Sequence, residues 1–162
     1  MELIDFIKVY DNALTEEECH KLIEIFETGR DKTKLNNKYQ KFTQYWISES
    51  GNLQSARLDH GAIFPSNYVF ESLKIKKYEP ELKEEFRKHI DASTKGNLAR
   101  FLSTLIYLND VEEGGQTVFN DVIINPRQGR MVLFPPLWMF PHSGRIPISN
   151  IKYILTTYLR YS

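Results

Sequence analysis

The stretch FLSTLIYLNDVEEGGQTVF, residues 101–119, contains a strand, a glycine turn and the start of a second strand. Successive strand side chains point to opposite faces, so Leu105 and Tyr107 share one face while Thr104, Ile106 and Leu108 share the other. Glu113-Gly114-Gly115 is the turn signal. QTVFNDVIIN then begins another β-rich run. YWIS, GAIF, YVFESLKIKKY, RMVLF and KYILTTYLRY have the same character. They are separated by breakers such as Asn125-Pro126-Arg127-Gln128-Gly129 and Pro135-Pro136. Many short strands behind a leading helix predict a mainly β (α+β) domain, a sandwich or jelly roll.

The leading helix is ALTEEECHKLIEIFETGR. Thr15 and Glu18 have capping-box spacing, and Glu16 and Glu17 place negative charge in the first turn. Cys19, Leu22, Ile23 and Phe26 form one apolar stripe, which makes Cys19 a core position and leaves His20 on the surface. Gly29 is the expected stop. The following stretch, GRDKTKLNNKYQKFTQ, reads as a solvated, locally basic loop, or alternatively as a mobile cover over a site. The resulting expectation is one domain over residues 1–162, with a helical N-terminal edge at about 14–29 packed on one sheet and a β core at about 45–162.

The chain has 162 residues, with 21 Lys and Arg balancing 21 Asp and Glu. No long-range field favours nucleic acid or an anionic membrane, so neither is expected as a partner. Cys19 is the single cysteine, which excludes an internal disulfide and thiolate metal clusters. MELIDFIKVY lacks a secretory n-region and h-region, and no apolar run is long enough to span a bilayer. A soluble, cytoplasmic protein is the expectation.

In KYILTTYLR, Lys152, Ile154, Thr156 and Tyr158 share one face, and Tyr153, Leu155, Thr157 and Leu159 the other. The second set suits sheet packing. The first, with its ammonium, hydroxyl and phenol, suits the wall of a polar pocket. FRKHIDASTK, residues 86–95, poses the chemical question. If His89 and Asp91 lie on an extended segment, both side chains point the same way and can share a divalent metal. If the charged EPELKEEFRK stretch before them is helical, as it looks, they are a solvated helix end. A third ligand would come from His20, His60 or His142. His142 is the best placed, because it lies between an apolar strand and the mixed-face strand. Two histidines and a carboxylate leave three positions open on a metal, the arrangement of non-haem iron(II) oxygenases. Two of those positions can chelate a 2-oxo acid. Lys152, ten residues after His142, could then hold a distal carboxylate.

From about Leu73 to Tyr161 the chain resembles the 2-oxoglutarate and iron(II)-dependent dioxygenases, specifically the prolyl 4-hydroxylase-like branch. The resemblance rests on His89-x-Asp91, FLSTLIYLNDVEEGGQTVF, PRQGRMVLFPP at 126–136, His142 and Lys152. It implies a double-stranded β-helix (jelly roll, cupin-like), with iron(II) held by His89, Asp91 and His142. It implies further that Lys152 binds the distal carboxylate of 2-oxoglutarate, with Tyr78, Tyr107, Thr117 and Thr156 around the cosubstrate. Tyr158 and Trp138 are substrate-side candidates, and ascorbate is a candidate reductant. Phe86 stands where the family often has tyrosine, and Pro147 is five residues after the distal histidine rather than four.

The activity implied is C–H hydroxylation, of a prolyl residue in a peptide or protein, with succinate and CO2 as co-products. The alternatives are a free amino acid or other small molecule as substrate, an inactive jelly-roll binding module, or a cupin-like enzyme with another metal. Specificity is expected from residues 30–70 and 79–97, with Arg57 and His60 as surface positions.

Overall fold

The computed structural model describes residues 2–47 and 67–162. The expected GAIF strand, Arg57 and His60 lie outside the described residues. The chain opens with a 3-10 turn at Leu3–Phe6, then runs through β1 (Lys8–Tyr10), helix α1 (Glu16–Thr28), β2 (Thr33–Asn36), β3 (Lys41–Ile47), β4 (Tyr68–Phe70) and β5 (Leu73–Tyr78). After these come β6 (Phe86–His89), β7 (Arg100–Tyr107), β8 (Thr117–Phe119), β9 (Val122–Ile124), β10 (Met131–Phe134), β11 (His142–Gly144) and β12 (Lys152–Tyr161).

Two antiparallel sheets form the expected jelly roll. The larger has the order β1-β10-β7-β12-β5-β3-β2, with β4 also paired to β12, and the smaller is β6-β11-β8-β9. Helix α1 covers the outer face of the large sheet. Cys19 and Phe26 pack there with Leu73, Ile75, Ile106 and Leu155. Between the sheets lies a second core containing Phe42, Tyr78, Tyr107, Phe119, Phe134 and Ile154. The alternation expected for β7 and β12 holds, since Leu155 faces the helix while Ile154 and Tyr107 face the small sheet.

The Thr15–Glu18 capping box forms as expected, with Thr15 accepting from the Glu18 N–H and Glu18 accepting from the Thr15 N–H. Gly29 does cap the helix, but at φ −61°, so a left-handed turn is not the reason for glycine there. A Cβ on Gly29 would stand 2.6 Å from the Tyr45 ring, which packs against the helix end. Among the described residues, no helix is long and apolar enough to cross a membrane.

Three local expectations are corrected. Residues 30–41 are not an open loop, because β2 and β3 pair as a hairpin whose turn, Asn37 to Gln40, lines the cleft outside His89 and Asp91. Asn37 makes the turn, its Oδ1 accepting from the N–H groups of Tyr39 and Gln40, while Leu35 and Phe42 face inward. EPELKEEFRK is not helical. Lys83 takes a left-handed conformation (φ 51°), and the buried Glu84 carboxylate turns back onto the Glu79 N–H at 2.9 Å. The chain then enters β6 extended. Finally, the sheet begins well before residue 45, since β1 already pairs with β10.

Candidate metal and cosubstrate site

The small sheet brings the first two imidazoles together. β6 and β11 run antiparallel with His89 directly opposite His142, and His142 is also opposite Phe119 on β8. Asp91 lies two residues past the end of β6. Its position is fixed from outside, because the Arg100 guanidinium donates to the Asp91 carbonyl at 3.0 Å while it grips Glu71 with two bonds of 2.7 and 2.6 Å.

One ligand atom each from His89, Asp91 and His142 lie within 4.8 Å of one another. His89 Nε2 is 3.4 Å from Asp91 Oδ1, and His142 Nε2 is 3.6 Å from Asp91 Oδ2. Donors bound about 2.1 Å from one octahedral ion at right angles stand roughly 3 Å apart, so each imidazole is near that spacing from one oxygen of the carboxylate. The tautomers point the same way. His89 Nδ1 lies 2.7 Å from the Arg87 carbonyl and His142 Nδ1 lies 3.0 Å from the Phe140 carbonyl. A carbonyl only accepts, so each Nδ1 carries the proton and each Nε2 offers a lone pair inward. His89 Nε2 is buried without a hydrogen-bond partner. A buried, oriented, unsatisfied lone pair beside a carboxylate fits a cation.

Electrostatics agree with this geometry. Burial opposes ionisation of Asp91, yet the neighbouring His89, then His142 and Ser103, outweigh it and hold the carboxyl well below its ordinary range. Ser103 Oγ donates to Oδ2 at 2.8 Å and the Tyr158 hydroxyl donates to Oδ1 at 3.2 Å. Burial, partly offset by Asp91, lowers His142 to about 4, so its imidazole is neutral and ready to ligate at pH 7. The Phe86 ring stacks on His89 with centroids 3.5 Å apart, so the residue that departs from the expected tyrosine holds the imidazole flat.

The triad lines one side of an inner pocket of about 40 Å³, with Tyr78, Thr117, Lys152, Ile154, Thr156 and Phe134 among its other walls. Lys152 is only 1 % exposed. Burial first, then repulsion from Lys76, lowers its ammonium to about 7. It donates to the carbonyls of Gly115 and Arg145 and lies 4.3 Å over the Tyr78 ring. Gly115 has φ +72°, and a Cβ there would stand 3.3 Å from Lys152 Cδ, so the turn glycine also clears the lysine's path.

Of the other expected residues, Tyr78, Thr117 and Thr156 line the inner pocket. Tyr107 stands behind the wall, its hydroxyl donating to Thr117 Oγ1, so it acts through that threonine. Tyr158 lines the pocket but spends its hydroxyl on Asp91. Trp138 is 76 % exposed and stands in the wall of neither the inner pocket nor the cleft outside it. Ser103, Arg100 and Glu71 were not anticipated. Ser103 was findable, because it falls on the Leu105–Tyr107 face of β7. The Arg100–Glu71 pair joins positions 29 residues apart and leaves no local pattern.

A sequence profile of the 2OG-Fe(II) oxygenase superfamily matches residues 73–160. The chain is 33% identical over 128 residues to a probable prolyl 4-hydroxylase 10 of Arabidopsis thaliana, covering 68% of this chain and 44% of the relative. It spans about half the length of the curated relatives it matches. Among solved structures, a viral collagen prolyl hydroxylase from Paramecium Bursaria Chlorella virus-1, in its 2OG complex, superposes with a TM-score of 0.75 at 22% identity over 97% of both chains. A Pseudomonas putida prolyl-4-hydroxylase gives 0.79 at 18% identity, covering 99% of this chain and 97% of that one. At these identities the structural likeness establishes the fold.

Proposed function

This chain belongs to the 2OG-Fe(II) oxygenase superfamily, and on that premise we propose that it hydroxylates a C–H bond of a prolyl residue in a peptide or protein, coupled to conversion of 2-oxoglutarate to succinate and CO2. The observation that carries the reading is the convergence of three donors within 4.8 Å, with His89 Nε2 buried and unsatisfied among them. The prolyl assignment draws on the kind of relative the chain resembles.

His89 Nε2, His142 Nε2 and a carboxylate oxygen of Asp91 would hold iron(II). When bound there, iron supplies activation of dioxygen, of which one atom goes to succinate and the other to the substrate C–H. The protein's own residues do the remaining work. The Arg87 and Phe140 carbonyls keep the imidazoles in the ligating tautomer. Ser103 and Tyr158 fix the carboxylate. Lys152 holds the distal carboxylate of 2-oxoglutarate at the closed end of the pocket, exchanging its bonds to Gly115 and Arg145 for a charge-assisted one. Tyr78 and Thr117 wall that end, and the packing between the sheets keeps water out.

The test is succinate formation by the purified chain with prolyl peptides. The reading requires that it depend on both iron(II) and 2-oxoglutarate and vanish in His142→Ala. Full turnover in that variant would overturn the ligand assignment.

A further inference from the structure

The site-facing row of β5 is Lys74, Lys76 and Tyr78, while Leu73, Ile75 and Lys77 face the helix. Lys77 has its carboxylates, Glu27 at 3.1 Å and Glu79 at 3.3 Å. Lys74 and Lys76 have none within 4.0 Å among the described residues, and each lies only over aromatic rings. Lys76 Nζ is 5.1 Å from the Phe42 and Phe86 centroids, and Lys74 Nζ is 4.2 Å from Trp46 and 5.8 Å from Tyr158. Lys76 is 6 % exposed. Desolvating an ammonium without an anion is unfavourable, and burial accordingly lowers Lys76 to about 8.

Its position separates it from Lys152. The β5–β12 register sets Tyr78 opposite Lys152, Lys76 opposite Ile154 and Lys74 opposite Thr156, so the two lysines climb from the closed end toward the mouth. Lys76 lines both the inner pocket and an outer cleft of about 600 Å³, which also contains Lys74, Lys38, Arg100, Gln44 and Asn37. Among the described residues, the one carboxylate in that cleft wall is Asp91, which belongs to the candidate metal triad. Arg100 is committed to Glu71. A cleft beside the candidate metal site, with room for several residues and two lysines that meet no carboxylate among the described residues, suits an anionic chain.

We propose that Lys76, assisted by Lys74, is a specificity-determining anion subsite that holds an acidic side chain of the substrate, so that the preferred substrate is a peptide with Asp or Glu next to the hydroxylated residue. This rests on the hydroxylase reading above. The contact is a charge-assisted hydrogen bond from a lysine already desolvated, and an uncharged peptide would leave that ammonium unpaired.

The experiment uses fluorescein-labelled prolyl peptides identical except for Asp, Asn or Lys beside the proline, together with free L-proline as competitor. Fluorescence anisotropy measures binding and succinate release measures turnover, in wild type, Lys76→Met and Lys76→Arg. The Asp peptide should bind wild type at least about tenfold tighter than the Asn peptide and show the same preference in kcat/KM. Lys76→Met should bring the ratio near one, and Lys76→Arg should keep most of it. An Asp preference that survives in folded Lys76→Met, or a wild type that favours Asn or Lys, overturns the subsite. Lys76-dependent binding of free L-proline tighter than that of the Asp peptide overturns the assignment to a peptide side chain. Charge-ranked, Lys76-dependent binding without succinate from any peptide would uphold the subsite and refute the hydroxylase reading. Succinate release without charge preference would do the reverse.

Discussion

His89 and His142 stand directly opposite each other in neighbouring antiparallel strands, their ring centroids 4.3 Å apart at an interplanar angle of 57°. Strand pairing therefore sets the spacing of two of the three donors, and backbone carbonyls set their tautomers. Only the third, Asp91, sits beyond the end of the strand, and side chains hold it there. That division of labour says where the site is most sensitive to substitution.

Because Asp91 depends on side-chain donors, removing them should weaken metal binding without unfolding the protein. Ser103→Ala and Tyr158→Phe each delete one bond to the carboxylate. Each should lower iron(II) affinity by about tenfold or more. Thermal stability should change little, and anaerobic calorimetric titration measures the loss.

Under the proposed function, Lys152 sets cosubstrate binding against stability. Its folded value of about 7 lies below the ordinary 10.5, so between those pH values the unfolded chain binds the extra proton. Stability therefore rises with pH across that window and is reduced at and below pH 7. Lys152→Met removes the desolvated charge while keeping its bulk. At pH 7 the variant should melt higher, by roughly 3 °C or more, which is about 1 kcal/mol at this size. Its KM for 2-oxoglutarate should rise by a factor on the order of 10². Calorimetric melting and succinate kinetics check the two halves.

The metal-free protein should be acid-sensitive through His142. Its folded value of about 4 is below the unfolded 6.5, so stability is lost as pH falls through that interval, where the unfolded state takes the proton. By pH 5 this residue should cost about 2 kcal/mol relative to pH 7. Urea unfolding of chelator-treated wild type and His142→Gln at the two pH values isolates the effect, because the variant lacks that part of the slope.

Gly114 takes φ +79°, and a Cβ there would approach the Ile146 carbonyl oxygen to 2.4 Å. Gly114→Ala should destabilise by about 2 kcal/mol or more. The same substitution disturbs the turn whose next carbonyl, Gly115, holds Lys152. A lowered melting temperature should thus come with a raised KM for 2-oxoglutarate.

Much of this was legible in the chain. The two-residue period of β12 separated Lys152, Ile154 and Thr156 from Tyr153 and Leu155, and the structure keeps that division. His89-x-Asp91 was readable as a shared face only on extended backbone. The charged run before it looked helical because its break comes from Lys83 turning left-handed and Glu84 bonding back to Glu79, neither of which has a strong propensity signature. The β2–β3 hairpin was hidden because its edge strand is mostly polar and its turn rests on a single Asn37 side chain. Lys76 was hidden inside LKIKKY, where lysine on alternate positions reads as solvent-facing. Only the β5–β12 register reveals that this row points into the cleft.

The most direct measurement is anaerobic calorimetric titration of iron(II) into the chelator-treated protein, wild type and His142→Ala, with 2-oxoglutarate present. One equivalent binding to wild type and none, or binding weaker by at least about a hundredfold, in the variant is the predicted result. Iron ignored by wild type, or bound equally well without the imidazole at position 142, would contradict the account.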